Sequence, residues 1–216
     1  MRIGVVTGLQ REARIARRAG LAVACDGPGP EPARRAAMRL ADDGAEMLVS
    51  FGYAGGLDPA LRPGTLVTGT LVVDVRGWSW QCVALPGRSV PATIVGVDEP
   101  AMDGMAKAAL RRLGAAVDQE SHAVAAVAAD RAMPMAVLRV VVDDATTAIP
   151  PTAAAAVDAA GRSRPGLVVL GLLRRPWELP ALHRLASAVG RADRALAWGA
   201  ELLAALSANR NAPPPR

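Results

Sequence analysis

Three acidic residues stand where a sheet-based fold gathers its chemistry. Glu12 follows the first apolar run and Gly8, Glu120 follows Ala116-Val117-Asp118-Gln119, and Asp143 ends the apolar run Val137-Leu138-Arg139-Val140-Val141-Val142. Carboxylates suit proton transfer to a leaving group and stabilisation of positive charge that develops in a transition state. Each also has a plain structural explanation. Glu12 in a first helical turn favours the helix dipole, Glu120 fits a helix start, and Asp143 or Asp144 fits a cap of the following turn. Spacing alone leaves both readings open.

The elements that must position these acids alternate along the chain, and this predicts an α/β architecture. Strands are expected over residues 2–7, 21–25, 46–50, 65–75, 93–97, 116–118 and 135–142. Helices are expected over 10–19, 31–43, 99–113 and 121–131, with a pair near 180–189 and 191–206. The 135–142 run is almost wholly apolar, as a strand covered on both faces should be. Glycine-rich breaks at Gly8, at Gly27-Pro28-Gly29-Pro30 and at Gly52-Tyr53-Ala54-Gly55-Gly56 each follow a strand. Ligands in open α/β sheets collect beyond the carboxyl ends of strands, so these breaks read as loops framing a site. Residues 1–207 are expected to form one domain and 208–216, with three consecutive prolines, a loose tail.

Bulk properties narrow the class. Of 216 residues 51% are apolar, which suits a globular core. The apolar stretches, such as Gly166 to Leu173, are far shorter than the ~18 residues of a membrane span, and no secretory segment follows the first strand. The expected location is cytoplasmic, at most peripheral to the inner membrane. The net charge of +5 is carried by arginines scattered over predicted helix faces, and Lys107 is the only lysine. Phe51 and Tyr53 are the only phenyl-type rings, so the interleaved aromatic and basic residues of a nucleic-acid platform are missing; no nucleic-acid partner is expected. Cys25 and Cys82 lack metal-ligand spacing and read as buried core thiols; no metal is expected.

Several motifs carry a family resemblance. Ser50-Phe51-Gly52-Tyr53-Ala54-Gly55-Gly56-Leu57-Asp58-Pro59 with Leu61, Pro63 and Gly64 resembles a signature of the purine and uridine phosphorylase superfamily. Arg2 through Glu12 is similar to the opening of its 5′-methylthioadenosine nucleosidase branch, Gln119-Glu120 resembles that branch's M-E pair, and Arg139 to Ala145 its R-x-x-S-D segment. A narrower resemblance spans nearly the whole chain. Glu120-Ser121-His122-Ala123, Ile149-Pro150-Pro151, Val157-Asp158-Ala159-Ala160-Gly161 and Leu173-Arg174-Arg175-Pro176 with Leu179 to Leu182 look like the hopanoid-associated phosphorylase family. That family is assigned to adenosylhopane, a pentacyclic lipid carrying adenosine through its 5′ carbon; its members release adenine and leave a ribosyl lipid.

The resemblance implies a three-layer α/β/α sandwich around a mixed central sheet and a role for each acid. Asp143 would protonate N7 of adenine, Glu120 would hold the ribose hydroxyls, and Glu12 would activate or orient the nucleophile. Gly8, Gly27, Gly29, Gly55 and Gly56 would frame sugar and nucleophile, with Gln119 and Arg139 beside them. No cofactor is implied, although the family name points to inorganic phosphate as co-substrate, whereas Glu12 stands where the hydrolytic branch places its water-activating acid. A homodimer is expected, with an adenosine-bearing lipid as substrate and peripheral membrane contact. The chain departs from the pattern at Gln119, where relatives carry Met, at Val142, where Ser often precedes the Asp, and at Asp26, where the nucleosidase branch carries Ser. His122 is expected to support or cap. Trp78 and Trp80 alternate with Ser79 as on one strand face and read as packing residues, and Leu172 to Trp177 has the composition of an interfacial anchor or of a solvated loop.

Overall fold

The strand Met135–Asp143 is buried along almost its whole length because a strand lies on each side of it. Met47–Gly56 pairs with it in parallel and Leu66–Asp74 antiparallel. The computed structural model describes residues 1–209. In chain order the strands are β1 (Ile3–Val6), β2 (Ala22–Ala24), β3 (Met47–Gly56), β4 (Leu66–Asp74), β5 (Ser79–Gln81), β6 (Val90–Gly96), β7 (Ala116–Asp118) and β8 (Met135–Asp143). They form one mixed sheet of order β2-β1-β3-β7-β6-β4-β5, with β8 joining β3 to β4. The strands β3, β7, β6, β4 and β8 therefore close on themselves, and the sheet has an open end only at β2-β1 and at β5.

Helices cover both faces. Ala33, Ala36, Ala37 and Leu40 of α2 (Pro30–Asp42) and Ala123 to Ala128 of α4 (Ser121–Asp130) pack with alternate strand residues such as Val6, Val137 and Val141. On the opposite face lie Ala16 of α1 (Gln10–Arg18) and Ala192, Leu196, Ala200 and Leu203 of the last helix, against Val5, Leu138 and Val140. The spacing in that last set is the stripe of an amphipathic helix, and each such leucine contributes about 1.5–3 kcal/mol by leaving water. A smaller cluster, Leu57, Val95, Val97 and Val117, lies under α3 (Gly104–Leu110). This is the three-layer α/β/α arrangement.

Several expectations change. Gly52–Gly56 is no loop but the second half of β3, held on one side by β8 and at its end by β7. Glycine allows this because the strand runs against side chains that leave no room for a Cβ. The expected helix over 99–113 shortens to Gly104–Leu110, started by Asp103, whose carboxylate accepts from the Ala106 N–H at 2.9 Å. The expected pair of C-terminal helices is one helix, α7 (Leu179–Asn209): Gly190 lies at its surface with open space around it and costs only about 1 kcal/mol relative to alanine. Its last turns take up residues 208 and 209 of the expected tail; the rest of that tail lies outside the described residues. The alternation at Trp78-Ser79-Trp80 falls at the short strand β5, whereas α5 (Pro151–Ala154), α6 (Pro165–Arg174) and a 3-10 turn at Pro176–Glu178 were not expected, each starting on a proline. Trp80 packs partly against the core while Trp78 is exposed, and both cysteines are free and half-buried, not buried. Among the described residues no helix is long and apolar enough to cross a membrane.

Candidate active site

Parallel pairing of β1 with β3 and of β3 with β8 sets Glu12 beyond the end of β1, Arg139 midway along β8 and Asp143 at the end of β8. Glu12 is the third residue of α1. One carboxylate oxygen accepts from the Leu9 N–H at 2.9 Å, which is half of a capping box. The other reaches across to β3 and accepts from the Tyr53 N–H at 2.8 Å. The structural role foreseen for Glu12 therefore exists, and it fixes the carboxylate against β3. A Cβ at Gly52 would lie 2.4 Å from that carboxylate, so only glycine lets the two elements meet.

Glu120 is the residue before α4. Its carboxylate accepts from the Gly29 N–H at 3.1 Å and lies 3.3 Å from the Arg139 guanidinium. A Cβ at Gly8 would come within 2.5 Å of it. The loops at Gly8 and Gly29 thus close directly on Glu120. Arg139 is the hub. Its Nε lies 2.8 Å from Asp118, its Nη2 donates to Ser50 Oγ at 2.6 Å and to Ser121 Oγ at 3.3 Å, and its Nη1 donates to the Tyr53 carbonyl at 3.2 Å. Asp118 also accepts from the Glu120 and Ser121 N–H groups at 3.0 and 2.7 Å, so it caps α4 and anchors the arginine together. Sequence reasoning gave Asp118 no role, although an Asp three residues before the first helical residue is a recognisable capping signal.

Three carboxylates and one guanidinium are thus gathered away from water. Burial, and then the charge of Glu120, push Glu12 up to about 7, against the pull of Arg139 and its two N–H donors. Burial likewise raises Glu120, with Arg139 opposing and Asp118 adding to the rise. Such a cluster is held by mutual compensation: removing one charge leaves the others unpaired at low dielectric.

Asp143 lies further along β8. The pairing with β3 slips by one residue at Val142, so that Ala54 faces Val141 and Gly55 faces Asp143. At ~3.3 Å per residue, Asp143 is roughly 13 Å along the strand from Arg139. Its carboxylate is bound by Lys107 from α3, which also donates to the carbonyls of Asp144 at 2.6 Å and Thr147 at 3.0 Å. The only lysine of the chain is 1% exposed, and the acid 3%. Burial pushes Asp143 upward although the Lys107 ammonium pulls the other way. Nothing in the local sequence Met105-Ala106-Lys107-Ala108 marks this lysine; its being alone in an arginine-rich chain is the one available signal. Val142 cannot give the hydrogen bond that a serine there would give, and Lys107 supplies the polar partner instead.

The remaining expected residues fall in different places. Gly55 and Gly56 line β3 beside Asp143, where a Cβ at Gly55 would lie 3.4 Å from its carboxylate. Gly27 touches a different segment: a Cβ there would clash with the Ala159 carbonyl, and Gly161 packs on the Gly8 carbonyl, so the 155–164 connection closes over the glutamates. Gln119 is half-buried and donates to the Asp98 carbonyl at 3.2 Å, and His122 contacts the Asp98 carboxylate at 3.1 Å; neither touches the glutamates. Asp26 is ion-paired with Arg39. Asp144 accepts from Thr146 and Thr147 as a turn cap. Beside Asp143 a cleft of about 590 Å³ opens between the β8 end and α7, lined among others by Val142, Ile149, His183 and Arg191. Among the described residues no group of His, Cys, Asp and Glu is arranged to hold a metal.

Residues 15–81 match the profile of the Phosphorylase superfamily. The matched stretch runs from α1 to β5 and contains none of the three acids. A search of curated proteins returned no match. Solved structures resemble the chain over nearly its full length. The 5′-methylthioadenosine/S-adenosylhomocysteine nucleosidase of Campylobacter jejuni is 14% identical with a TM-score of 0.69, the alignment covering 97% of this chain and 99% of that one. The corresponding enzyme of Neisseria meningitidis, solved with methylthio-immucillin-A, is 17% identical with a TM-score of 0.66 over 94% and 98%. Futalosine hydrolase of Helicobacter pylori is 14% identical with a TM-score of 0.61 over 95% of each chain. At such identities the likeness establishes the fold: a purine and uridine phosphorylase-like α/β sandwich.

Proposed function

We propose that this protein is an enzyme that cleaves the N-glycosidic bond of an adenine nucleoside, with water as the nucleophile, and that its substrate is an adenosine-bearing lipid of the adenosylhopane kind. The observation that carries the reaction is the pair of chemically distinct acid sites on one strand, a buried glutamate pair at Arg139 and a cation-backed aspartate at the strand's end. The structural relatives named above, nucleosidases and a futalosine hydrolase, support it.

In this reading Asp143 and Lys107 act as one proton donor. A proton passes to N7 of the base, the C1′–N9 electron pair leaves with adenine, and the pair is left one proton poorer. Glu120, beside Arg139, accepts hydrogen bonds from the ribose hydroxyls as positive charge grows on the sugar. Glu12, raised toward 7, takes a proton from the water that attacks C1′. The 155–164 connection would have to move for the sugar to reach both glutamates.

The surroundings of Arg139 support water over phosphate as the nucleophile. A phosphate would need a cation free to bind it, but the Arg139 guanidinium is already engaged by Asp118, Glu120, Ser50, Ser121 and the Tyr53 carbonyl. Arg34 of α2 makes no hydrogen bond or ion pair to either glutamate among the described residues. A dianion beside Glu12 and Glu120 would meet repulsion, and among the described residues no cation other than Arg139 is paired with either glutamate. Exposed apolar side chains, Trp78 at 67% and Leu173 at 77%, support the lipid substituent; burying ~100 Å² more of it contributes about 2.5 kcal/mol, roughly 70-fold in kcat/KM.

The test is incubation with adenosylhopane and with methylthioadenosine, with and without phosphate, following adenine and the sugar product by mass spectrometry. Adenine release undiminished without phosphate, a free ribosyl product and a higher kcat/KM for the lipid are expected. Dependence on phosphate with a 1-phosphorylated product would move the assignment to phosphorolysis, and equal kcat/KM would remove the lipid.

A further inference from the structure

Helix α6, Pro-Gly-Leu-Val-Val-Leu-Gly-Leu-Leu-Arg over Pro165–Arg174, has no buried residue. It is apolar around its circumference: Val169 is 61% exposed, Leu173 77%, and the following Trp177 and Leu179 are also exposed. A helix of this composition ordinarily sits inside a core. This one is tied down on one side only, where Gly171 packs on Thr152 of α5 and Glu178 accepts from the Thr152 N–H at 3.1 Å. Exposed arginines stand at both ends, Arg162 and Arg164 before it and Arg174 and Arg175 after it. Arg175 pairs with Glu178, while Arg162, Arg164 and Arg174 form no ion pair among the described residues. Asp158, the nearest acid upstream, is occupied by the N–H groups of Ala160 and Arg162.

We propose that α6 and the Trp177–Leu179 turn form a docking surface for an anionic lipid bilayer. An apolar face rimmed by unpaired arginines matches the acyl boundary and headgroup charge of such a surface together. A second copy of this chain fits less well, because a two-fold contact through α6 would bring the same arginines against one another. The surface lies next to the candidate site in sequence: Gly161, packed on Gly8, precedes α6 by four residues. A lipid-linked nucleoside would be met there, and only that consequence rests on the proposed reaction.

The experiment is co-sedimentation of the full chain with vesicles of phosphatidylcholine alone and of phosphatidylcholine with phosphatidylglycerol, over a salt series. Binding to the anionic vesicles, weakened by salt, is expected, with a blue-shifted tryptophan emission that Trp177→Phe reduces. Replacing Arg162, Arg164 and Arg174 by glutamine should weaken it about five-fold per arginine, and Leu170→Ser with Leu173→Asp should abolish it while the melting curve keeps its shape. Failure of the native chain to bind anionic vesicles, or unaltered binding by the leucine variant, overturns the proposal. So does a lipid-free dimer that Leu173→Asp converts to monomer, since α6 is then a contact between copies. Adenine release from a soluble adenosine derivative reads the reaction separately, so either idea can fail alone.

Discussion

The middle of β8 and its end solve the problem of buried charge in opposite ways. At Arg139 one guanidinium is shared among Asp118, Glu120 and two serines, and the 155–164 connection closes over them. At Asp143 a single acid meets a single ammonium beside an open cleft. A network of shared partners holds its members in place; a pair beside a cleft is within reach of whatever enters.

The sharpest way to break this comparison is at Asp143. Asp143→Asn keeps shape but removes the transferable proton, and kcat should fall ~10²–10⁴-fold with KM little changed. Lys107→Met should lower kcat in the same direction, and a riboside whose leaving group needs no proton should partly escape both defects. Near-native turnover of Asp143→Asn on the adenine nucleoside would remove it as the acid.

The next effect is one of stability. Arg139→Gln leaves Asp118, Glu120 and Glu12 together without their cation, and breaking buried pairs costs about 3–5 kcal/mol. Denaturant unfolding should show that loss near neutral pH and less of it in acid, where the carboxylates are neutral. A pH-independent loss would mean that the arginine contributes packing and not charge.

Glu12 joins stability to activity. Its folded value of about 7 lies above its ordinary 4.5, so the folded chain keeps a proton that the unfolded chain gives up. The contribution of neutral Glu12 is complete below about pH 4.5 and is lost as pH rises through about 7, roughly 3 kcal/mol in all. Glu12→Gln should flatten that decline. If Glu12 takes the proton from water, kcat/KM rises over the same range in which stability falls; two curves moving together would contradict the base role. Asp144→Asn is the smallest case, with turnover changing by less than about ten-fold, because Asp144 only caps the Thr146–Thr147 turn.

What the sequence by itself determined was the alternation of strands and helices, the apolar strand that ends at Asp143, and the three acids at element ends, because these depend on residue type and local period. The extent of elements was less legible. Gly52–Gly56 reads as a turn but runs as strand, since β7 and β8 supply partners that no local rule contains, and Gly190 does not break α7 because packing at Ala192, Leu196 and Ala200 outweighs its small cost. Only the tertiary structure decided that Lys107, 36 residues from Asp143, faces it, that Asp118 and Arg139 bind one another across the sheet, and that the 155–164 connection lies on Gly8 and Gly27. Those contacts follow from a sheet that closes through β8, and closure depends on pairings between distant strands that leave no trace in the spacing of neighbouring residues.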